Sequence, residues 1–163
     1  VEVGTANGNN IAELSDKYPN NDYIGIDFNV DNALKAHKTR KNLRFLGGYA
    51  LQILKNKEIS GDVLFSMSTA ALFLPNELKN YVKAAKNAGF LYIVFCEPVF
   101  YREQVDENSE AISVHQNIGV WYHNYAAYLK NEGYKIRYLK KHLYRPGDPK
   151  DIYFWSTIGT SEN

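Results

Sequence analysis

The chain has 163 residues, 45% of them apolar and 23% charged, which suits one soluble domain and leaves no run near the roughly 20 apolar residues of a membrane helix. Nineteen Lys and Arg against eighteen Asp and Glu give a net charge of +1, too little to hold a polyanion by bulk attraction, so a nucleic-acid partner is disfavoured. The single cysteine, Cys96, excludes an intrachain disulfide and a thiolate metal site, and Val1-Glu2-Val3 is no signal peptide, so the cytoplasm is the expected compartment.

Val1 to Val3 reads as a strand end that breaks at Gly4. It is shorter than the ~5 to 6 residues usual for a strand, so a truncated first strand and a domain lacking its N-terminal segment are expected. Ile11, Leu14 and Tyr18 share one face of a helix over Asn10 to Tyr18, which Pro19 stops. Tyr23 to Asp27 is the second strand, and Val30, Ala33, Leu34 and His37 sit at helical spacing after it. Leu43 to Leu46 is a short strand and Tyr49 to Lys57 a short helix; Gly61-Asp62 then turns into the strand Val63 to Met67.

Pro75 opens a helix whose inner face is Leu78, Tyr81, Val82 and Ala85, and Gly89 supplies its left-handed exit. Phe90 to Cys96 is an unbroken apolar run, expected to be a strand buried on both faces. From Glu97 to Gly119 the periodicity fades, which predicts a long connection of the kind that usually carries function. Tyr122, Tyr125, Ala126 and Leu129 mark a last helix ending at Gly133. Tyr134 to Leu143 and Ile152 to Ile158 are strands joined through Arg145-Pro146-Gly147-Asp148-Pro149, a connection short enough to require antiparallel pairing or a hairpin. Strands alternating with helices predict an α/β fold, a doubly wound and mostly parallel sheet in one domain over residues 1–163.

Two segments carry chemistry. In Glu2-Val3-Gly4-Thr5-Ala6-Asn7-Gly8-Asn9 a strand breaks at glycines and feeds a helix, a loop whose backbone a ligand can approach closely. Tyr23-Ile24-Gly25-Ile26-Asp27 ends on an acid. In a doubly wound sheet the two strand ends are neighbours, so Asp27 can accept both hydroxyls of a ribose held over the glycine loop. The pattern calls for a nucleoside-containing cofactor. Gly4 and Gly8 do not follow the G-x-G-x-x-G spacing of a pyrophosphate site, though a dinucleotide dehydrogenase stays open at this level. The four histidines, His37, His115, His123 and His142, have no metal-ligand spacing, so no metal site is expected.

Taken in order, Val1 to Asn9, Tyr23 to Ala33, Phe45 to Ala50, Asp62 to Met67 and Phe90 to Pro98 resemble the successive motifs of the Rossmann-like (class I) S-adenosylmethionine-dependent methyltransferases. The resemblance implies a seven-stranded sheet with the last strand antiparallel, and S-adenosyl-L-methionine as cofactor. It implies that Gly4, Thr5 and Gly8 wrap the methionine part with Glu2 supporting the loop. Asp27 would bind the ribose, and Phe28 and Asn29 would flank the adenine. Gly48, Tyr49 and Ala50 match a segment where many relatives carry an acid on the adenine amine. Tyr49 stands there instead, with stacking or a backbone contact in place of the acid. Ser66, Met67 and Ser68 correspond to the segment passing the methyl donor.

A small-molecule acceptor is expected, an oxygen such as a sugar hydroxyl ahead of nitrogen. The candidate bases are His123, then His115 and Glu97, because imidazole accepts a proton near neutral pH. Tyr101, Arg102, Trp121, Tyr122 and Tyr125 lie near them in sequence and offer aromatic faces to a ring-bearing acceptor. Two alternatives stand beside this reading. One is a tRNA methyltransferase, suggested by Tyr18-Pro19 with Tyr23 to Asp27 but opposed by Ser66-Met67-Ser68-Thr69 where a Pro-Asp-Pro-Trp-like segment belongs. The other is a non-catalytic binding or scaffold module that keeps the fold.

Overall fold

The computed structural model describes residues 1–99, 113–115, 119–143 and 153–161. Strand and helix alternate from the start: β1 (Glu2–Val3), α1 (Asn9–Lys17), β2 (Tyr23–Asp27), α2 (Asp31–Ala36), β3 (Leu43–Gly47), α3 (Ala50–Lys55) and β4 (Val63–Met67). A 3-10 turn (Ala70–Leu72) leads into α4 (Pro75–Asn87) and β5 (Tyr92–Val99). Two short strands, β6 (Ser113–His115) and β7 (Trp121–His123), precede α5 (Tyr125–Asn131), β8 (Tyr134–Leu143) and β9 (Tyr153–Ser161).

Seven strands form one sheet in the order β3-β2-β1-β4-β5-β9-β8. β1 pairs parallel with both β2 and β4, β2 with β3, and β4 with β5. β9 runs antiparallel between β5 and β8, as the family resemblance implies. The order reverses between β1 and β4, which makes the loops after those two strands the lips of a crevice at the carboxyl edge.

Local chemistry explains where the helices begin. Gly8, at φ 75°, turns the chain left-handed into α1. Pro75 sets the first turn of α4, and Glu77 reaches back to accept the Leu74 N–H at 2.8 Å. Asn124 caps α5 by accepting the Ala127 N–H at 3.1 Å.

The core is unequal on the two sides of the sheet. α3, α4 and α5 lie side by side over Val3, Ile24, Ile26, Leu64, Ile93 and Phe95, all buried. On the opposite face the fully buried cluster is Ile11, Ala12 and Leu43, edged by Tyr23, Phe45 and Phe65. The same face continues across β4, β5, β9 and β8 through Val63, Phe65, Tyr92, Val94, Ile158 and Tyr138, which stay exposed or half-buried. This corrects the expectation of a fifth strand covered on both sides. Ile93 and Phe95 are fully buried, but Tyr92 is 43% exposed and Val94 and Cys96 are half-buried. An unbroken apolar run does not by itself tell one covered face from two.

The stretch read as a connection from Glu97 to Gly119 also departs from expectation. β5 continues to Val99, and Ser113–His115 pairs antiparallel with Trp121–His123 in a separate two-stranded hairpin. Tyr122 therefore belongs to a strand, and α5 starts at Tyr125. The segment Arg145 to Pro149, expected to join the last two strands, lies outside the described residues.

Gly25 shows how closely the thinner face is packed. A Cβ there would lie 2.6 Å from Phe45 and 2.8 Å from the Thr5 hydroxyl. Gly25→Ala is expected to lower stability by about 1–3 kcal/mol through overpacking, read from the midpoint of urea unfolding.

Candidate functional site

The loop after β1 is the most constrained backbone at the carboxyl edge. Gly4 and Gly8 both sit at φ 75° and Ala6 at φ 47°, so the chain winds left-handed three times in five residues. Glu2 supports the winding from below. Its buried carboxylate accepts the Thr5 hydroxyl at 2.7 Å and the Asn10 amide at 3.2 Å, tying the loop's first turn to the start of α1. Burial pushes the Glu2 carboxyl up, while Thr5, Asn10 and the Ile11 backbone pull it down.

Asp27, at the end of β2, faces this loop. One carboxylate oxygen accepts the Ala6 N–H at 2.8 Å, and the other accepts the Asn29 N–H at 3.3 Å. The Asn29 side chain in turn accepts the Asp31 N–H at 3.1 Å and shapes the entry to α2. Phe28 is 77% exposed and lies nearly parallel to Tyr49, the rings 9° from coplanar with centroids 5.8 Å apart. Tyr49 donates to Glu77 at 2.7 Å; burial, then that carboxylate, pushes its phenol up to about 12. Gly48 donates to the Asp27 carbonyl at 2.8 Å, and Ala50 is buried as the first residue of α3.

A relay from α1 and α2 buttresses the loop. The Arg40 guanidinium binds both Asp16 oxygens, at 3.0 and 2.7 Å, and approaches His37 Nδ1 at 3.0 Å. A guanidinium only donates, so Nδ1 accepts and Nε2 carries the proton. His37 Nε2 then donates to the Asn7 carbonyl at 2.9 Å.

The loop after β4 meets the first loop directly. A Cβ on Gly4 would fall 1.9 Å from the Thr69 hydroxyl oxygen, so only glycine fits beside Thr69. Met67 is 44% exposed, with its sulfur 3.8 Å from the Asn10 amide, whereas Ser66 points to the opposite face and is buried. Ser66 donates at 2.6 Å to Glu97, which also accepts the N–H groups of Ala70 at 3.0 Å and Ala71 at 3.3 Å. Glu97 is fully buried. Burial pushes its carboxyl up to about 7, opposed by Ser66 and the backbone N–H groups of Thr69, Ala70 and Ala71.

His123 lies at the far end of the same 3-10 turn. Its Nε2 is 3.0 Å from the Phe73 carbonyl, which can only accept, so Nε2 carries the proton. Nδ1 therefore accepts from the Ser113 hydroxyl at 2.6 Å, and Tyr128 donates to Ser113 at 2.7 Å. Burial lowers the imidazole to about 4, against the Phe73 and Ala70 backbone contacts that raise it. Tyr125 packs on Phe95 at 4.7 Å and is buried, its hydroxyl without a partner among the described residues. His115 is exposed, 4.8 Å from the Trp121 ring on the same face of the hairpin.

Of the residues expected to bind a nucleoside, Gly4, Thr5, Gly8, Asp27, Phe28, Asn29, Gly48 and Tyr49 lie at the ends of β1, β2 and β3 or in the loops that follow them, Glu2 is buried beneath the first loop, and Met67 ends β4 beside Asn10. Ser66 is turned into the core. Of the candidate bases, His115 is open, while Glu97 and His123 are buried with their polar atoms engaged. Tyr101 and Arg102 lie outside the described residues. Sequence reasoning missed Thr69, Ser113 and the Tyr49–Glu77 bond. Only Glu77 had a local signal, its place three residues after the helix cap. A cavity of about 880 Å³ opens at the opposite, amino edge of the sheet, around Val1, Tyr23, Leu43 and Val63. It is the gap beside β1, which supplies two residues where β2 and β4 supply five. Among the described residues no group of three or more His, Cys, Asp or Glu could hold a metal, and no helix is long and apolar enough to cross a membrane.

The two buried titrating groups give opposite pH dependences. Between pH 6.5 and about 4 an unfolded His123 takes up a proton that the folded one refuses, so stability falls with acid. Between 4.5 and about 7 an unfolded Glu97 releases a proton that the folded one keeps, so stability falls with rising pH. Each linkage is worth on the order of 3 kcal/mol at full extent, and they offset between pH 4.5 and 6.5. Relative to the parent chain, Glu97→Gln should therefore gain stability as pH rises across that window and His123→Gln should lose it, as urea titrations at several pH values would record.

No protein-family model matches the chain, and no curated protein matches it. Solved structures do. The 1,6-didemethyltoxoflavin-N1-methyltransferase of Burkholderia thailandensis, with bound 1,6-didemethyltoxoflavin and S-adenosylhomocysteine, superposes with a TM-score of 0.70 at 10% identity, over 99% of this chain and 70% of its own. A SAM-dependent methyltransferase of Methanosarcina mazei gives 0.65 at 15% identity, over 98% of this chain and 90% of its own. The cyclase SpnF gives 0.72 at 11% identity, over 98% and 73%. With the strand order, the antiparallel β9 and the crevice between the β1 and β4 loops, these likenesses establish that the chain has the fold of the Rossmann-like S-adenosylmethionine-dependent methyltransferases.

Proposed function

We propose that this chain binds S-adenosylmethionine at the crevice and transfers its methyl group to a small molecule. The observation that carries the reading is Asp27, held by the Ala6 N–H at 2.8 Å so that its carboxylate stands over the left-handed glycine loop. A carboxylate has about four acceptor sites and the two backbone donors use two, which leaves room for a ribose diol. Phe28 and Tyr49 offer the adenine an exposed ring face, and Met67 borders the donor side. The cofactor supplies a methyl group activated on a sulfonium.

What the chain's own residues add is chiefly position, worth up to about 7 to 11 kcal/mol for a well-aligned pair. A hydroxyl acceptor also needs its proton removed, and we assign that to His115, the exposed imidazole beside Trp121, a ring that suits a cyclic acceptor. Glu97 spends its carboxylate on Ser66 and the start of the 3-10 turn, His123 spends its imidazole on the Phe73 carbonyl and Ser113, and both hold structure in this reading. An oxygen acceptor such as a sugar hydroxyl stays ahead of nitrogen on the strength of that base. The cytoplasm and a soluble small-molecule partner complete the proposal, with RNA opposed by the net charge of +1.

A second reading has its own support. SpnF carries the same fold and is a cyclase, so the chain could bind the cofactor and serve another reaction, or none. Calorimetry with S-adenosylmethionine, S-adenosylhomocysteine and NADH decides the cofactor. Binding of the first two is expected, weakened about 100-fold in Asp27→Ala through loss of charged hydrogen bonds. No binding to the parent chain, or NADH alone, overturns the reading. Turnover on a panel of hydroxyl and nitrogen-heterocycle acceptors follows. His115→Ala is expected to lower kcat about 100-fold or more while leaving S-adenosylhomocysteine affinity unchanged; undiminished turnover removes His115 from the chemistry.

A further inference from the structure

We propose that Glu97 and His123 are positioning residues that grip one 3-10 turn, Ala70–Leu72, from its two ends and thereby join the β6–β7 hairpin to the glycine loop. The turn has free N–H groups at its start and a free carbonyl at its exit, and each end meets the group it needs. Glu97 from β5 accepts Ala70 N–H at 3.0 Å and Ala71 N–H at 3.3 Å. His123 from β7 donates to the Phe73 carbonyl at 3.0 Å. Both side chains are buried, so neither bond is traded readily for water.

The grip continues outward in one direction. Because Nε2 must donate to a carbonyl, Nδ1 must accept, and the chain of donors runs Tyr128 to Ser113 to His123 to Phe73. It crosses α5, β6 and β7 before reaching the turn. Ser113 therefore reports to residues 70–73 without touching them. On the inward side Thr69, immediately before the turn, occupies the space a Gly4 side chain would need. Any displacement of the turn carries Thr69 against or away from the loop after β1. The hairpin that bears His115 and the loop that bears Gly4 are thus mechanically one unit. In the proposed enzyme this links the seat of the acceptor to the seat of the cofactor, a consequence that rests on the reading above, whereas the grip itself does not.

Amide hydrogen exchange on the full chain tests it, using Ser113→Ala, Tyr128→Phe and, as a control on the same strand, Val114→Ala, whose side chain is 52% exposed. The expected result is that Ser113→Ala speeds exchange at residues 70–73 about tenfold, Tyr128→Phe moves them the same way by less, and Val114→Ala leaves them unchanged. The two hydroxyl deletions are mild enough that one at least folds. The second readout is S-adenosylhomocysteine affinity, expected to weaken severalfold in Ser113→Ala although residue 113 is not in the crevice. Exchange that rises only within the hairpin, with 70–73 untouched in both deletions, overturns the proposal. If the parent chain binds no S-adenosylhomocysteine yet residues 70–73 respond, the cofactor reading fails and the grip stands. If S-adenosylhomocysteine binds and residues 70–73 do not respond, the reverse holds.

Discussion

The carboxyl edge of this sheet is held by side-chain carboxylates. Where strands hand over to helices the backbone leaves N–H groups without strand partners, and buried or half-buried donors must find acceptors. Glu2 takes Thr5 and Asn10, Asp27 takes Ala6 and Asn29, Glu77 takes Leu74 and Tyr49, and Glu97 takes Ser66, Ala70 and Ala71. Glu2 and Asp27 sit at strand ends, Glu77 in the first turn of α4 and Glu97 within β5, and each fixes a neighbouring loop or turn. The crevice keeps its shape because these bonds fix the backbone around it.

This arrangement explains why acids at similar places do different work. Glu97 and Glu2 are enclosed by their donors and spend their capacity inside the protein. Asp27 has the same chemistry but only two backbone donors and an open side, which is what a ligand-binding carboxylate requires. The imidazoles divide in the same way: His123 is closed between a hydroxyl and a carbonyl, whereas His115 faces solvent. The fold alone does not assign these roles; the surroundings of each side chain do.

Much of the crevice was legible in the amino-acid order because it depends on local rules. Gly4 and Gly8 mark left-handed turns, Asp27 ends a short apolar strand, and Pro75 announces a helix. The hairpin escaped because strands of three residues carry too little periodicity to register. The grip on the 3-10 turn escaped for another reason: Glu97 lies 27 residues from Ala70 and His123 lies 50 from Phe73, and no spacing rule spans such distances. The half-bare face of β5 was hidden by the apolar character of Tyr92, Val94 and Cys96, which reads the same whether or not a helix lies over them.

The uneven core has a consequence for how its two layers are held. α3, α4 and α5 rest on a broad buried cluster, while α1 is anchored by little more than Ile11, Ala12 and Leu43. Local opening is resisted by apolar contacts, so the layer that carries the glycine winding relies more on the hydrogen bonds of Glu2, Asp27, His37 and Arg40 than the opposite layer does. An occupant bridging Asp27 and that winding would add to this thinner layer contacts that its own apolar side chains do not supply.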